Sequence, residues 1–398
     1  MNASTEKPYD LIIVGAGPVG LLSALMAHKS GLRVLVLEKN SGPVMHSKSI
    51  GIHPPSLELI SEAGLLDAFI AKGKRIRQGH ACSQHGSRLG TLYFHSLKSP
   101  FNYILTVPQW ITESLFVQEL NALDPGLLQW DAAVTDISDG NICEVHTSKR
   151  NTDTAPDGGA GLNARTFRIL TAKMVMGCDG KNSTIRQLSG IPFHGGSYSS
   201  RYAMGDFKDN TGYGSDAVIF LSRDGLVECF PLPGGIRRWV LQQEADHPVG
   251  DALAFTEQIR QRCGIAPEAA DCSMFSQFSV ERYLAETFWR GRVVLAGDSA
   301  HVVSPIGGQG MNLGWINAAQ AVRHIAAVLK EEQSLSDAAR IYTRQARGRA
   351  KKVISRAEFN MMLANRKPLH RLRNQLVRLL LASPLRHPLR RRFTMQDL

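Results

Sequence analysis

Polar and apolar positions alternate along the chain in blocks whose period switches between two and about 3.6. Leu11–Val14 is a continuous apolar run, the length of one strand buried on both faces, and Arg33–Leu37 is a second β-rich run. Leu21–Lys29 between them has helical apolar spacing, so the opening segment reads strand, helix, strand. Asn40–His53 has no period and reads as a loop, while Pro54–Gly64 has the pattern of a short helix. Phe69–Phe94, rich in Gly, His and Ser, is strand-like in places. Val107–Leu123 reads as a helix with Leu115, Leu120 and Leu123 on one side.

Trp130–Ile137 and Ile142–Thr147 are strand candidates, and the polar, Gly-rich Lys149–Asn163 is a flexible loop. Phe167–Met176 is a buried strand ending in Gly177–Cys178–Asp179–Gly180. From Phe193 to Val240, short β-rich runs separated by turn residues predict an antiparallel sheet. Asp251–Cys263 is a helix, and Arg292–Ala296 is a third buried strand leading into Gly297–Asp298 and the glycine cluster at Gly307–Gly310. Met311 to about Ala364 reads as helix with few interruptions. Pro368 breaks it, and Leu369–Ala382 makes a last basic helix.

The first block carries chemistry. After the apolar run, Gly15, Gly17 and Gly20 spell GxGxxG, with Pro18 and Val19 inside it, and Glu38 and Lys39 end the second strand. Gly15 allows a tight turn, Gly17 lets backbone N–H groups approach a pyrophosphate, and Gly20 lets the helix pack on the strand. The helix N-terminus offers unpaired donors to phosphates. Glu38 stands where a carboxylate accepts hydrogen bonds from an adenosine ribose, which favours NAD or FAD over NADP at this site.

Composition bounds the rest. A chain of 398 residues can bury a sizeable core, and 43% apolar with 20% charged residues describes a globular protein. The polar start, MNASTEKPYD, does not read as a signal peptide, and no run of about 18 apolar residues occurs to span a bilayer. Cysteines 82, 143, 178, 229, 263 and 272 lack CxxC spacing, so the expectation is free thiols in a cytoplasmic protein without a metal. The net charge of +11 is local. Ile341–Leu398 holds fifteen Lys/Arg against two acidic residues, and the remainder sums to −2. No motif or aromatic-interleaved basic patch for nucleic acid accompanies it.

Two further motifs follow in order, CDGKNSTIR at 178–186 and GDSAHVVSPIGGQGMN at 297–312. In the first, Asp179 and Gly180 make a turn, Ser183 can cap a helix, and Arg186 comes one helical turn later. In the second, Asp298 sits where a carboxylate could bond a sugar hydroxyl, and Gly307, Gly308 and Gly310 open a helix whose bare N–H groups can stabilise negative charge. With GAGPVG at 15–20, these motifs resemble those of the single-component FAD-dependent aromatic hydroxylases, the para-hydroxybenzoate hydroxylase-like flavoprotein monooxygenases. The resemblance covers about residues 8–330.

It implies an α/β fold: a Rossmann-type FAD-binding domain (1–75, 106–192 and 283–330) interleaved with an antiparallel-sheet substrate domain (76–105 and 193–282), then C-terminal basic helices (331–398). It implies that Gly15, Gly17, Pro18, Val19, Gly20, Glu38 and Lys39 hold the ADP half of FAD, with a main-chain contact from Val134 to adenine. Gln109 would meet the flavin's sugar-like chain and Asp179 would serve both FAD and NAD(P)H. Gly297 and Asp298 would bond the ribityl chain. Gly308, Gly310, Met311 and Asn312 would aim N–H groups at the flavin pyrimidine edge, and Pro305 would border the space where O2 and substrate meet. Two positions depart from the family pattern. Lys48 replaces an arginine, keeping the charge for pyrophosphate without the planar fork, and Asn317 replaces an aspartate.

In such enzymes NADH or NADPH reduces FAD, O2 adds at the flavin C4a carbon, and the hydroperoxide passes OH to an electron-rich ring. One GxGxxG implies that the reductant binds transiently. His53, His194 and His301 are readable as bases for a phenol or as ordinary core and surface histidines, and the second reading is favoured. His53 and Pro305 remain the catalytic candidates, with no base assigned. Tyr202, Phe207, Phe220, Phe230 and Trp239 fall on the expected substrate sheet and read first as core. The stripe Leu369, Leu372, Leu376, Leu379 and Leu380 either packs on the body, the favoured reading, or lies on an acidic membrane. Competing functions are epoxidation or prenyl-chain reduction on the same scaffold, or flavin binding without turnover. The tryptophans at 110, 130, 239, 289 and 315 form no WxWxIP halogenase box.

Overall fold

The computed structural model describes residues 7–43, 49–97, 99–150, 165–243, 248–364 and 369–398. Six residues of the polar start, Lys48, most of the Lys149–Asn163 loop and Pro368 lie outside the described residues.

The strand Tyr9–Val14 lies between Val34–Leu37 and Arg165–Gly177, parallel to both, with Leu11 opposite Val34 and Met174. Leu128–Gln129 extends the sheet on one side, Val293–Leu295 and Trp289–Arg290 on the other. Parallel strands joined through helices are covered on both faces, and Leu11, Ile12, Ile13, Leu35, Val36 and Leu37 are accordingly all buried. The helix Pro18–Lys29 covers one face and packs against Gln109–Leu123 and Gly310–Leu329. Within Gln109–Leu123 the core is reached by Phe116 and Leu120, whereas Leu123, expected on that side, is exposed.

Arg165–Gly177 is buried only in its second half. Its first half leaves the helical layers and pairs antiparallel with Cys143–Arg150, itself paired with Ala132–Asp139, so Phe167 is 72% exposed rather than buried as expected.

A second eight-stranded sheet runs His301–Val302, Cys272–Ala285, Phe193–Lys208, Ile236–Gln243, Gly225–Leu232, Ala217–Ser222, Gln78–Ser83, Arg88–Tyr93. It is antiparallel except where Ala217–Ser222 meets Gln78–Ser83. Side-chain alternation gives it two faces. Phe207, Phe220, Val227, Trp239 and Leu241 form one, sealed by Phe255 and Ile259 of the helix Ala252–Cys263. Tyr202, Met204, Leu226, Val240 and Val280 form the other, which packs on Ile306 and Met361. A three-stranded sheet, Gly51–Ile52, Ile104–Thr106 and Lys74–Ile76, completes the fold and places a short strand within the expected 40–53 loop.

The C-terminal part differs most from expectation. The long helix is two, Gly310–Leu329 and Leu335–Ala364, separated at Glu331, whose φ is 62°. After His370–Ala382 comes a further helix, Arg386–Phe393, that apolar periodicity did not show. The leucine stripe is also reversed. Leu369, Leu372, Leu376 and Leu379 are exposed, while Arg373 is only 3% exposed. The Arg373 guanidinium donates to the carbonyls of Leu221 (2.7 Å) and Ser222 (3.0 Å), and Leu381 sits over Gly90. Hydrogen bonds to strand carbonyls thus orient this helix, and its leucines turn outward.

Candidate active site

At the end of Tyr9–Val14 the chain turns through Gly15, whose φ is +105°, and enters the helix Pro18–Lys29 at Gly17. A Cβ on Gly20 would stand 1.9 Å from the Gly15 carbonyl oxygen, so only glycine lets helix and strand approach this closely. No side chain caps the helix at Gly17, and a Cβ there would meet nothing within 4 Å. Its first N–H groups therefore remain available to an anion. Glu38, at the end of the neighbouring strand, is turned back to this turn: its carboxylate accepts from the Ala16 N–H (2.7 Å), the Asn40 N–H (3.0 Å) and Asn40 Nδ2 (2.7 Å). Lys39 beside it is exposed.

The other two motifs meet the first directly. A Cβ on Gly15 would lie 2.5 Å from the Cys178 carbonyl oxygen and 2.9 Å from Asp179 Cα. The Val19 side chain is seated against Gly297 and Gly314, and Trp315 Nε1 donates to the Pro18 carbonyl (2.8 Å). Ser299 Oγ donates to the Gly177 carbonyl (2.6 Å). Arg186, stacked 3.8 Å from the Phe193 ring centroid, spans the second and third motifs by donating to Lys181 O (2.8 Å) and Ser299 O (3.0 Å). Ser183 caps the helix Thr184–Leu188 by accepting from the Arg186 N–H. Asp179 Oδ2 accepts from the Ile185 N–H, while burial outweighs its hydrogen bonds and raises its pKa.

The remaining residues take these positions. Gln109 opens its helix, accepting from the Ser49 N–H (3.1 Å) and donating to Glu113 (2.9 Å). Val134 lies on the strand that Ala132 ties to Glu38 through a 2.8 Å backbone bond. Asp298 is exposed in the turn Gly297–Ser299. Pro305 is exposed and its carbonyl accepts from the Gly308 N–H (2.8 Å). Gly310 and Met311 begin their helix without a side-chain cap. The Asn312 side chain staples this end to the 51–53 segment: Oδ1 accepts from the His53 N–H (2.8 Å), and Nδ2 donates to Gly51 O (2.8 Å) and Gly308 O (3.0 Å).

The histidines separate by surroundings. His53 is buried, faces the backbone of Gly307 and Phe393, and is held neutral, its pKa lowered to about 4 by burial. His301 is buried and equally lowered, to about 4, with Asn317 Nδ2 3.0 Å from its Nε2. The uncharged Asn317 matches a neutral imidazole, and its Oδ1 accepts from Arg349 (2.9 Å). His194 lies on the surface, 3.7 Å from Glu286. Of the five sheet aromatics, Tyr202 faces Ile306, Phe230 packs at the edge near Ile76 and Phe94, and Phe207, Phe220 and Trp239 lie on the opposite face.

Two features escaped the sequence reading. The helix Arg386–Phe393 docks on the glycine loop: Gln309 Nε2 lies 3.3 and 3.5 Å from the carbonyls of Arg392 and Phe393, and Phe393 stacks on Phe94. Glu228 is buried on the sheet face that meets Ile306. Its signal was one acidic residue inside the apolar run Leu226–Leu232.

This set of donors and acceptors fits an ADP-bearing cofactor. It offers an uncapped helix N-terminus, a carboxylate at the adjacent strand end, and a buried Asp179 Oδ1 with no protein partner among the described residues. Glycine turns from three distant segments, packed together over a parallel sheet, define a dinucleotide-binding fold. The chain belongs to the FAD binding domain family, whose profile matches residues 8–357, and its cofactor is FAD. The family is that of the FAD-dependent aromatic hydroxylases that the three motifs resemble.

Among particular relatives, the chain is 31% identical over 329 residues to the "uncharacterized aromatic compound monooxygenase YhjG" of Bacillus subtilis, covering 81% of this chain and 62% of the relative. It is 30% identical over 313 residues to rifampicin monooxygenase of Streptomyces venezuelae, covering 77% and 61%. The chain thus spans about six-tenths of the length of these relatives. The crystal structure of p-nitrophenol 4-monooxygenase PnpA from Pseudomonas putida superposes with a TM-score of 0.85 at 24% identity, covering 99% of this chain and 98% of that one, which is a likeness of fold.

Proposed function

We propose that this protein is a monooxygenase that uses FAD, NADH or NADPH, and O2 to hydroxylate an aromatic or polycyclic small molecule. The observation that carries the reading is the packing of the 15–20, 178–180 and 297–299 turns around Val19 and Cys178, beside an apolar sheet face that meets Ile306. Bound FAD, reduced by the nicotinamide, would supply oxygen activation at its C4a carbon. Glu38 and the N-terminus at Gly17 would hold the ADP half. The N–H groups of 308–312 would offset negative charge on the flavin pyrimidine edge. The sheet face would exclude water and orient the ring. Lys39, Lys48, Gln109, Val134, Asp179, Asp298 and Pro305 keep their places in this reading. Residues 1–75, 106–192 and 283–330 would form the FAD-binding part, 76–105 and 193–282 the substrate part. The relatives named for rifampicin and for aromatic compounds favour a ring substrate.

The test is to load the protein with FAD, add NADH or NADPH with phenols, quinolones or polyketides, and follow flavin bleaching, O2 uptake and label from 18O2 in the product. Stimulated oxidation with one labelled oxygen per product is expected. Bleaching without oxygen incorporation would instead indicate a prenyl-chain reductase, a labelled oxirane an epoxidase, and no bleaching a flavin-binding protein without turnover.

A second reading concerns the tail. The exposed Leu369, Leu372, Leu376 and Leu379 lie on a helix that also exposes Arg371 and Arg378, a combination suited to peripheral contact with an anionic bilayer. Among the described residues no helix is long and apolar enough to cross a membrane. Flotation with phosphatidylglycerol vesicles but not with phosphatidylcholine vesicles is expected, and loss of flotation in Leu372→Ser/Leu379→Ser would confirm the surface. The six free thiols suit the cytoplasm as the compartment.

A further inference from the structure

Glu228 stands in one row across the second sheet. It pairs with Ile219 on one side and Val240 on the other, and Val240 pairs with Met204. Residues directly opposite one another share a face, so the carboxyl belongs to the apolar face that meets Ile306 and Met361. The next row on that face carries Leu226, Gln242 and Tyr202. Tyr202 Oη is buried with no protein partner among the described residues. Glu228 is 5% exposed, and burial alone pushes its carboxyl up to about 7.

Among the described residues no charge neutralises it. On the same face, Arg238 is matched by Asp206 through bonds of 2.6 and 2.7 Å. Tyr198 donates to Glu358, which also pairs with Arg282, and Arg373 is engaged by the carbonyls of Leu221 and Ser222. The loop 303–309 that closes over the face contains no titratable side chain. A buried carboxyl without a counter-charge is destabilising unless another group satisfies it. The unpartnered Tyr202 hydroxyl, and on the neighbouring row a buried carboxyl for which the described residues show no hydrogen bond, mark where a ligand's polar substituent goes.

We propose that Glu228, with the Tyr202 hydroxyl, receives the hydrogen-bond-donating substituent of the substrate, so the site takes neutral hydroxy- or amino-arenes and turns away arene carboxylates. This rests on the aromatic-substrate reading above and narrows it. A ring OH or NH gives the carboxylate a donor that the described residues do not supply. A ring carboxylate sets two like charges together in an apolar enclosure.

The test compares 2-naphthol with 2-naphthoate, which share one ring system, by their perturbation of the oxidised flavin spectrum. At about pH 8, naphthoate should bind the wild type at least about tenfold more weakly than naphthol, and the gap should narrow as pH falls through 7. In Glu228→Gln the two should come within about threefold, with no pH dependence over that range. Tyr202→Phe should weaken naphthol about threefold to tenfold. Equal binding of both arenes by the wild type, or an unchanged ratio in Glu228→Gln, overturns the inference and leaves the monooxygenase reading standing. Failure of the FAD-loaded wild type to bind either arene overturns both. If Glu228→Gln does not retain FAD, the pH dependence of naphthoate binding to the wild type decides alone.

Discussion

The two large sheets offer opposite kinds of surface. At the end of the parallel sheet the surface is backbone: Gly15 and Gly20 matter for the side chains they lack, since a Cβ there would meet the Cys178 and Gly15 carbonyls. The antiparallel sheet works through side chains sorted by alternation. Phe220 and Trp239 are sealed beneath the helix Ala252–Cys263, while Tyr202 and Glu228 lie on the reverse face, which packs on Ile306 within the third glycine motif. A backbone cradle tolerates almost no change of residue. A side-chain wall can change its ligand by changing one residue and keep its fold.

The contrast breaks most visibly at Gly20. Gly20→Ala places a methyl 1.9 Å from a backbone oxygen, and the expected loss exceeds about 4 kcal/mol, read as a colourless or insoluble protein. Full flavin content in this variant would refute the close approach. In the other sheet, Arg238→Leu leaves Asp206 without its partner and should reduce stability by about 3–5 kcal/mol in urea unfolding. The remaining folded protein should still bind FAD.

Glu228 gives the next effect, with a definite sign. Its folded pKa is raised, so its contribution is complete below the unfolded value near 4.5 and is lost as pH rises to about 7. Glu228→Gln should therefore be more stable than the wild type above pH 7 by roughly 3 kcal/mol, and the difference should vanish below about pH 4.5. His53 and His301 act with the opposite slope. Their pKa values are lowered to about 4, so their contribution is present above about 6.5 and is lost as pH falls. Removing Glu228 should thus steepen acid unfolding, which a pH series of thermal melts would show. Smallest is Glu38→Ala, which releases the Ala16 and Asn40 N–H groups and should weaken FAD about tenfold by titration, with little change in melting temperature.

The same contrast explains what could be read from the sequence. The glycine turns were legible because glycine at fixed spacing after a buried strand is imposed by backbone geometry, and the Ser183 cap was legible for the same local reason. Their convergence through Val19, Trp315 and Ser299 needed three dimensions. The antiparallel sheet was recognisable from alternation, but which face met the third glycine motif was not, and Glu228 passed as one polar residue in an apolar run. The tail misled because its leucine stripe suggested a buried face, while the contacts that fix the helix are arginine bonds to carbonyls more than 150 residues away. No period encodes those.

One such long-range contact has a mechanical meaning. Gln309 is held by carbonyls of Arg392 and Phe393, Phe393 lies against Phe94 and His53, and Thr394 and Met395 are buried. The loop 303–309 and the helix Arg386–Phe393 are therefore fastened to one another. A displacement of that loop must either carry the helix along or break these contacts, so whatever loosens residues 386–395 also loosens the glycine loop.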